Sequence, residues 1–397
     1  MPKKAMTSRE RVMVALNHQE PDRIPRDFGG TFTTSIHVGA YSRLMNLLGI
    51  EGGPEKVDNY QVRTAVLDPR LIEQMGSDCV ALKTMPASTW KLQFFTDENG
   101  YEHYKDEWSV GRACPPGGYY YDVVSSPLAG ATIADLDHFP WQDPNDPGRL
   151  DGIEERAKNL YEGTDKCVIL SIGTSLFAQI GFLMGWEDFL VNTAANPPLI
   201  KEIVERLLSF NQTLIGAALD RVGKYVQVFN MYDDLTHQHS LFVSKKTLNE
   251  IFMPAYKKLF TAVKSKADIK ILFHICGASC LLFDELMDAG VDAFNPIQVA
   301  ANGMGDTAEL KRLYGNRLTF WGGGCDTQDV LPHGTTDDVR REVRRRIADL
   351  APGGGFVFSP VHNIQCEVPP ENIVAMYDEV SQWENYPIRV NELRSSF

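Results

Sequence analysis

The sequence predicts an α/β protein, a (β/α)8 TIM barrel with an antiparallel β excursion after its second strand. Three observations lead there. Eight apolar, β-rich runs recur along the 397 residues, at 23–30, 77–85, 167–175, 225–234, 269–276, 291–298, 317–324 and 354–363. Amphipathic segments of helical length lie between most of them, the alternation that builds parallel sheets. The last residues of those runs are repeatedly polar, as expected where barrel strands end at a site. A doubly wound sheet is the alternative, but no G-x-G-x-x-G turn follows the first run.

Taken in order, Thr7 and Glu10 have capping-box spacing ahead of a short stripe of Val12, Ala15 and Leu16. The N-terminus has no apolar stretch of signal-peptide type. After the run 77–85, residues 86–127 mix polar and aromatic residues. Asn99-Gly100 in that stretch is a hairpin signal. Residues 126–149, rich in Pro and Asp, read as a surface connection. The segment "TTDDVRREVRRRIADLAPGG" reads as a helix capped by Thr335 or Thr336, with Asp337 and Asp338 at its positive start and Gly353 beyond its end. The whole chain, 1–397, reads as one barrel domain.

A net charge of −13 argues against nucleic acid and anionic membrane surfaces as partners. Seven scattered cysteines without an export signal favour reduced thiols and a cytoplasmic location. No apolar run is long enough to span a bilayer.

The chemistry-bearing stretch is "ILFHICGASC", residues 271–280. His274 and Cys276 sit two apart on an extended run and so project to the same side. Asp233 and Asp234 end the run 225–234; adjacent strand residues diverge, so one is expected inside and the other in a structural role. Asp27, Gln238, Asn295, Gln298 and Asn363 are the remaining polar candidates for holding a substrate.

Four stretches carry a resemblance that covers essentially the whole chain. They are "RERVMVALNHQEPDRIP", "FHICGAS", "LTFWGGGCDTQDVLPHGTTDDVRREVRRRI" and "GGGFVFSPVHNIQCEVPPENIVAMYDEV". The chain resembles the uroporphyrinogen decarboxylase superfamily. That resemblance implies a single (β/α)8 barrel and one of two chemistries. One branch decarboxylates a tetrapyrrole without a cofactor. The other moves methyl groups between a corrinoid and an acceptor, with zinc held by His-x-Cys and a later Cys in its thiol-using members. The decarboxylase's arginine-rich stretch is replaced here by "PRDFGGTF", its second-strand acid by Lys83 and Thr84, and its tyrosine by Gly181. The methyltransferase branch fits better: His274 and Cys276 match the first two metal ligands. Counting back from "PEN" puts His362 at the third, with Cys366 and Cys325 as substitutes.

The expectation is therefore a zinc-dependent methyltransferase in a corrinoid-linked system. Asp233 or Asp234 would carry protons, a small molecule would be the substrate, and the corrinoid would arrive free or on a separate protein. A homodimer is compatible with this reading. The alternatives are a cofactor-independent decarboxylase and a non-catalytic small-molecule-binding barrel.

Overall fold

The computed structural model describes residues 5–52 and 56–396. Seven strands form one parallel sheet in chain order: Cys79–Lys83, Cys167–Ser171, Val228–Asp233, Lys270–Ile275, Ala293–Asn295, Thr319–Trp321 and Phe356–Val357. Each of the seven contributes to one buried cluster: Cys79, Cys167, Ile169, Val228, Leu272, Ala293, Trp321 and Val357. Such a cluster requires a sheet curled around a common interior. Val12 and Leu16, from the helix Ser8–Leu16, join it. Thr7 caps that helix in a full capping box with Glu10.

The pleat sorts each strand. On Lys270–Ile275, Leu272 enters the inner cluster, whereas Phe273 packs outward on Tyr256 and Phe260 of the helix Met253–Lys266, with ring centroids 5.2 and 5.4 Å away. The helix Thr336–Leu350 is capped by Thr335, which forms a capping box with Asp338.

Residues 23–30, expected as the first strand, make only isolated bridges, Arg26 to Phe358 in parallel and Arg23 to Asn385. The reason lies in where the backbone donors go. Pro25 has none to give. Arg26 N donates to the Asp78 carboxylate and Phe28 N to Ser77 Oγ, so side chains replace the ladder. The segment still touches both edges of the sheet: Phe358 N donates to Pro25 O, Asp27 N to Phe358 O and Asp78 N to Arg26 O, each at 2.8 Å.

Between the first and second parallel strands, Phe95–Thr96, Glu102–Lys105, Gly111–Cys114 and Asp122–Ser125 pair in sequence as a four-stranded antiparallel sheet. Asn99-Gly100 lies in its first turn, where Gly100 has φ +80°. Residues 126–149 follow as turns and two short 3-10 helices, Ile133–Asp137 and Pro147–Leu150. Among the described residues no helix is long and apolar enough to cross a membrane.

Candidate metal centre

Because Leu272 faces inward, His274 and Cys276 do too. Gly277 then turns the chain at φ +92°. A Cβ there would lie 2.5 Å from His237 O, so only glycine lets the loop after Asp234 close over the strand end. His362 arrives from beyond the last strand, where Val361 N donates to Cys325 O and Ile364 N to Ser35 O. The His274 and His362 rings meet edge to face, centroids 5.2 Å apart. One ligand atom from each of His274, Cys276 and His362 lies within 4.8 Å of the others.

The hydrogen bonds fix both tautomers. Asn295 donates through Nδ2 to Trp321 O at 2.9 Å, so its Oδ1 is an acceptor. His274 Nδ1, 2.5 Å from that oxygen, therefore carries the proton, and Nε2 keeps its lone pair, 3.3 Å from Cys276 Sγ. Gln365 Nε2 donates to Asn363 Oδ1 at 3.2 Å, so that oxygen too is an acceptor and receives His362 Nδ1–H. Two asparagines thus turn two imidazoles the same way, the arrangement that orients metal-binding histidines.

Burial, with His362 as a second contributor, pushes His274 down to about 3. Burial lowers His362 also, against the bond it donates to Asn363. Burial and the Asp234 charge push the Cys276 thiol up. All three groups are thus held neutral near pH 7. Zinc needs neutral imidazoles and a thiolate, with donors roughly 3.5 Å apart around a tetrahedron. The donor types fit, the separations need only a small contraction, and the thiol has one proton to lose.

The other candidates are placed as follows. Asp233 points to the helix side: its carboxylate accepts from Leu176 N, Phe177 N, Ala178 N and Tyr256 Oη and holds the start of the helix Phe177–Met184. Asp234 is raised to about 7 by burial and by Asp233, and its charge reaches the Cys276 thiol. Asp27 accepts from Trp321 Nε1 at 2.9 Å and Gly30 N at 2.8 Å, and burial lifts it to about 6. Gln298 Oε1 accepts from Gly277 N, and Gln238 O from Asn302 N. Cys325 is buried, and Cys366 lines a separate recess with His37 and Cys114. Neither belongs to the histidine–cysteine group.

A cavity of about 1180 Å³ lies between the parallel sheet and the antiparallel sheet, lined by Thr174, Gln179 and Tyr232 on one side and Tyr104, Trp108 and Arg112 on the other. The sequence reading missed it. Tyr232 could have been found, since it shares the strand period of Asp234; Arg112, in a four-residue strand, carries no such signal.

The family profile described as uroporphyrinogen decarboxylase (URO-D) matches residues 123–383. The chain belongs to the uroporphyrinogen decarboxylase family. Within it, methylated-thiol–coenzyme M methyltransferase of Methanosarcina mazei is 24% identical over 275 residues, 64% of this chain and 67% of that protein. Uroporphyrinogen decarboxylase of Neisseria meningitidis is 22% identical over 191 residues, and the chain spans about half of that relative, 49%. A solved methyltransferase from Methanosarcina mazei superposes over 95% of this chain and 99% of its own, with a TM-score of 0.60 at 17% identity, a likeness of fold.

Proposed function

We propose that this family member is a zinc-dependent methyltransferase working with a corrinoid, carried on a separate protein or free. The observation that carries the reading is the convergence of His274, Cys276 and His362, with both imidazole Nε2 atoms left as the coordinating nitrogens. The likeness to the Methanosarcina mazei methyltransferase supports it. In this reading residues 23–28 close the sheet as the eighth stave of a (β/α)8 barrel, and the chain is one domain. The antiparallel sheet is then an excursion over the barrel end.

His274, Cys276 and His362 would hold the metal, and three protein ligands leave one position open. Zinc bound there supplies a Lewis acid that lowers the pKa of a thiol or polarises an oxygen. Asn295 and Asn363 keep the imidazoles aimed. Asp234, whose charge acts on the Cys276 thiol, would be the group to take that thiol's proton. Asp233 supports Asp234 by fixing the turn between them and the helix Phe177–Met184. Asp27, Gln238 and Gln298 shape the surrounding loops through the bonds described above.

The decarboxylase reading is less well supported. Arg26, the one arginine of the "PRDFGGTF" stretch, is engaged by Glu384. A substrate with many carboxylates needs many free guanidiniums.

The test is metal analysis after zinc loading and removal of loosely bound ion. Wild type should hold about one zinc per chain and Cys276→Ala and His362→Ala close to none, with Cys366→Ala unchanged. A wild-type chain free of zinc after loading defeats the reading.

A further inference from the structure

The cavity between the parallel sheet and the antiparallel sheet has a wall of unusual sign for this chain. Overall the protein carries −13, yet the cavity is lined by five cations and four carboxylates. Four of the cations have acceptors for their terminal nitrogens. Lys83 pairs with Asp58, and Lys166 with Glu73. Arg149 reaches Glu107 and Gln142, and Arg156 the carbonyls of Lys83 and Asp151.

Arg112 is different. It is 4% exposed. Its Nε donates to Asp106 Oδ2 at 3.1 Å, and Asp106 is itself fixed by Trp108 N and Val110 N, both at 3.0 Å. The guanidinium stacks over Phe182 at 4.8 Å. Among the described residues, Nη1 and Nη2 have no hydrogen-bond acceptor. A buried guanidinium held by one edge, with its terminal nitrogens open on a cavity, is built for a planar two-oxygen anion. A second group points the same way: Gln179, 5% exposed on the same wall, accepts from Thr174 Oγ1 while its Nε2 has no acceptor.

The rest of the wall is flat and apolar. Trp108 meets Phe210 edge to face at 5.2 Å, and Tyr104, Phe182 and Tyr232 complete it. Tyr232 links the cavity to the metal centre, because it is the register partner of His274 on the neighbouring strand. The turn at 31–34 runs alongside: Thr31 lines the cavity, and Thr33 Oγ1 donates to Asn295 Oδ1.

We infer that this cavity binds a carboxylate with a planar, aromatic body, its two oxygens on the Arg112 fork and its ring between Phe182, Trp108 and Tyr232. As the substrate of the methyl transfer proposed above it rests on that reading; the binding site does not. Arg112 lies outside the stretch matched by the family profile, which begins at residue 123. The antiparallel sheet thus determines specificity rather than chemistry.

Calorimetric titration of the full chain with 2-naphthoate and with its neutral counterpart 2-naphthamide tests the inference. Wild type should bind the acid at least about tenfold more tightly than the amide, since a charged fork is lost on the amide. Arg112→Gln should erase that preference, and Arg112→Lys should retain part of it, with zinc content unchanged in both. Equal binding of acid and amide by wild type, or binding of neither, overturns the inference without needing any variant to fold. So does a folded Arg112→Gln that keeps the preference. Zinc-free Cys276→Ala should still prefer the acid; if it does not, the carboxylate sits on the metal and Arg112 is not its anchor. Anion preference without zinc in wild type would sink methyl transfer alone, and zinc without anion preference would sink this inference alone.

Discussion

Two buried polar centres sit at opposite ends of the strands, and they are finished differently. At the N-terminal end, Asp78 immediately precedes the strand Cys79–Lys83. It accepts from Arg11 Nη1, both terminal nitrogens of Arg23 and the backbone N of Arg26. Its oxygens have partners on every side. At the C-terminal end, His274 is buried and Cys276 and His362 are half-buried, and the two imidazole Nε2 atoms and the thiol face one another, with Cys276 Sγ 3.3 Å from His274 Nε2. Satisfied charge at one end and a cluster of candidate metal ligands at the other is the division of labour that the barrel reading proposed above expects. Buried polar groups are informative by what they lack.

The largest effect that would break this contrast is at Asp78. Asp78→Ala leaves Arg11 and Arg23 without their shared carboxylate. Urea unfolding should show a loss of about 3–5 kcal/mol, since Arg11 Nη1, the Arg23 fork and the buried Arg26 N lose their acceptor at once. Zinc content of the folded fraction should not change. A mild loss of stability, or a loss of zinc, would mean the two ends are not separable.

Next comes the orientation of His274. Asn295→Ala removes the acceptor on Nδ1 and frees the ring to turn. Competition with a chelator should show zinc affinity down about 10–100-fold, with folding retained. Unchanged affinity would mean that packing alone aims the ring.

The smallest effect sharpens the comparison at the residue between the ends. Asp27 follows Arg26, whose N is on Asp78, and it accepts from Trp321, whose carbonyl receives Asn295. Burial raises Asp27 from 3.8 to about 6. Between those values the folded chain holds a proton that the unfolded chain has released, so this group makes stability fall as pH rises through that window. Asp27→Asn should remove that slope from unfolding free energies measured between pH 4 and 6.5. An unaltered slope would show that Asp27 does not cause it.

Much of this was legible in the chain. The two-residue strand period placed His274 and Cys276 on one side, and the spacing of Thr7 with Glu10 marked a capped helix that the structure contains. The divergence of adjacent strand residues anticipated that Asp233 and Asp234 would part ways; Asp233 holds a helix start, and the charge of Asp234 acts on the thiol. What failed did so for identifiable reasons. Residues 23–30 have a strand's composition, but Pro25 and the side chains of Asp78 and Ser77 take over its hydrogen bonding, and no local pattern encodes a partner fifty residues away. The meeting of His362 with His274 came from family resemblance, not from spacing. Arg112 was invisible because the ring it stacks on, Phe182, lies on a helix seventy residues later in the chain.

The antiparallel sheet has one more consequence. Its four strands are consecutive in the chain, from Phe95 to Ser125, and every pairing within it is between sequence neighbours. The histidine–cysteine cluster draws none of its members from that stretch. Connections between barrel strands are where chains accept inserted or exchanged segments with least disturbance. This wall of the cavity is therefore an exchangeable cassette. Recombining residues 86–127 among relatives of this fold would exchange that wall in a single genetic step, while the histidine–cysteine cluster is inherited whole.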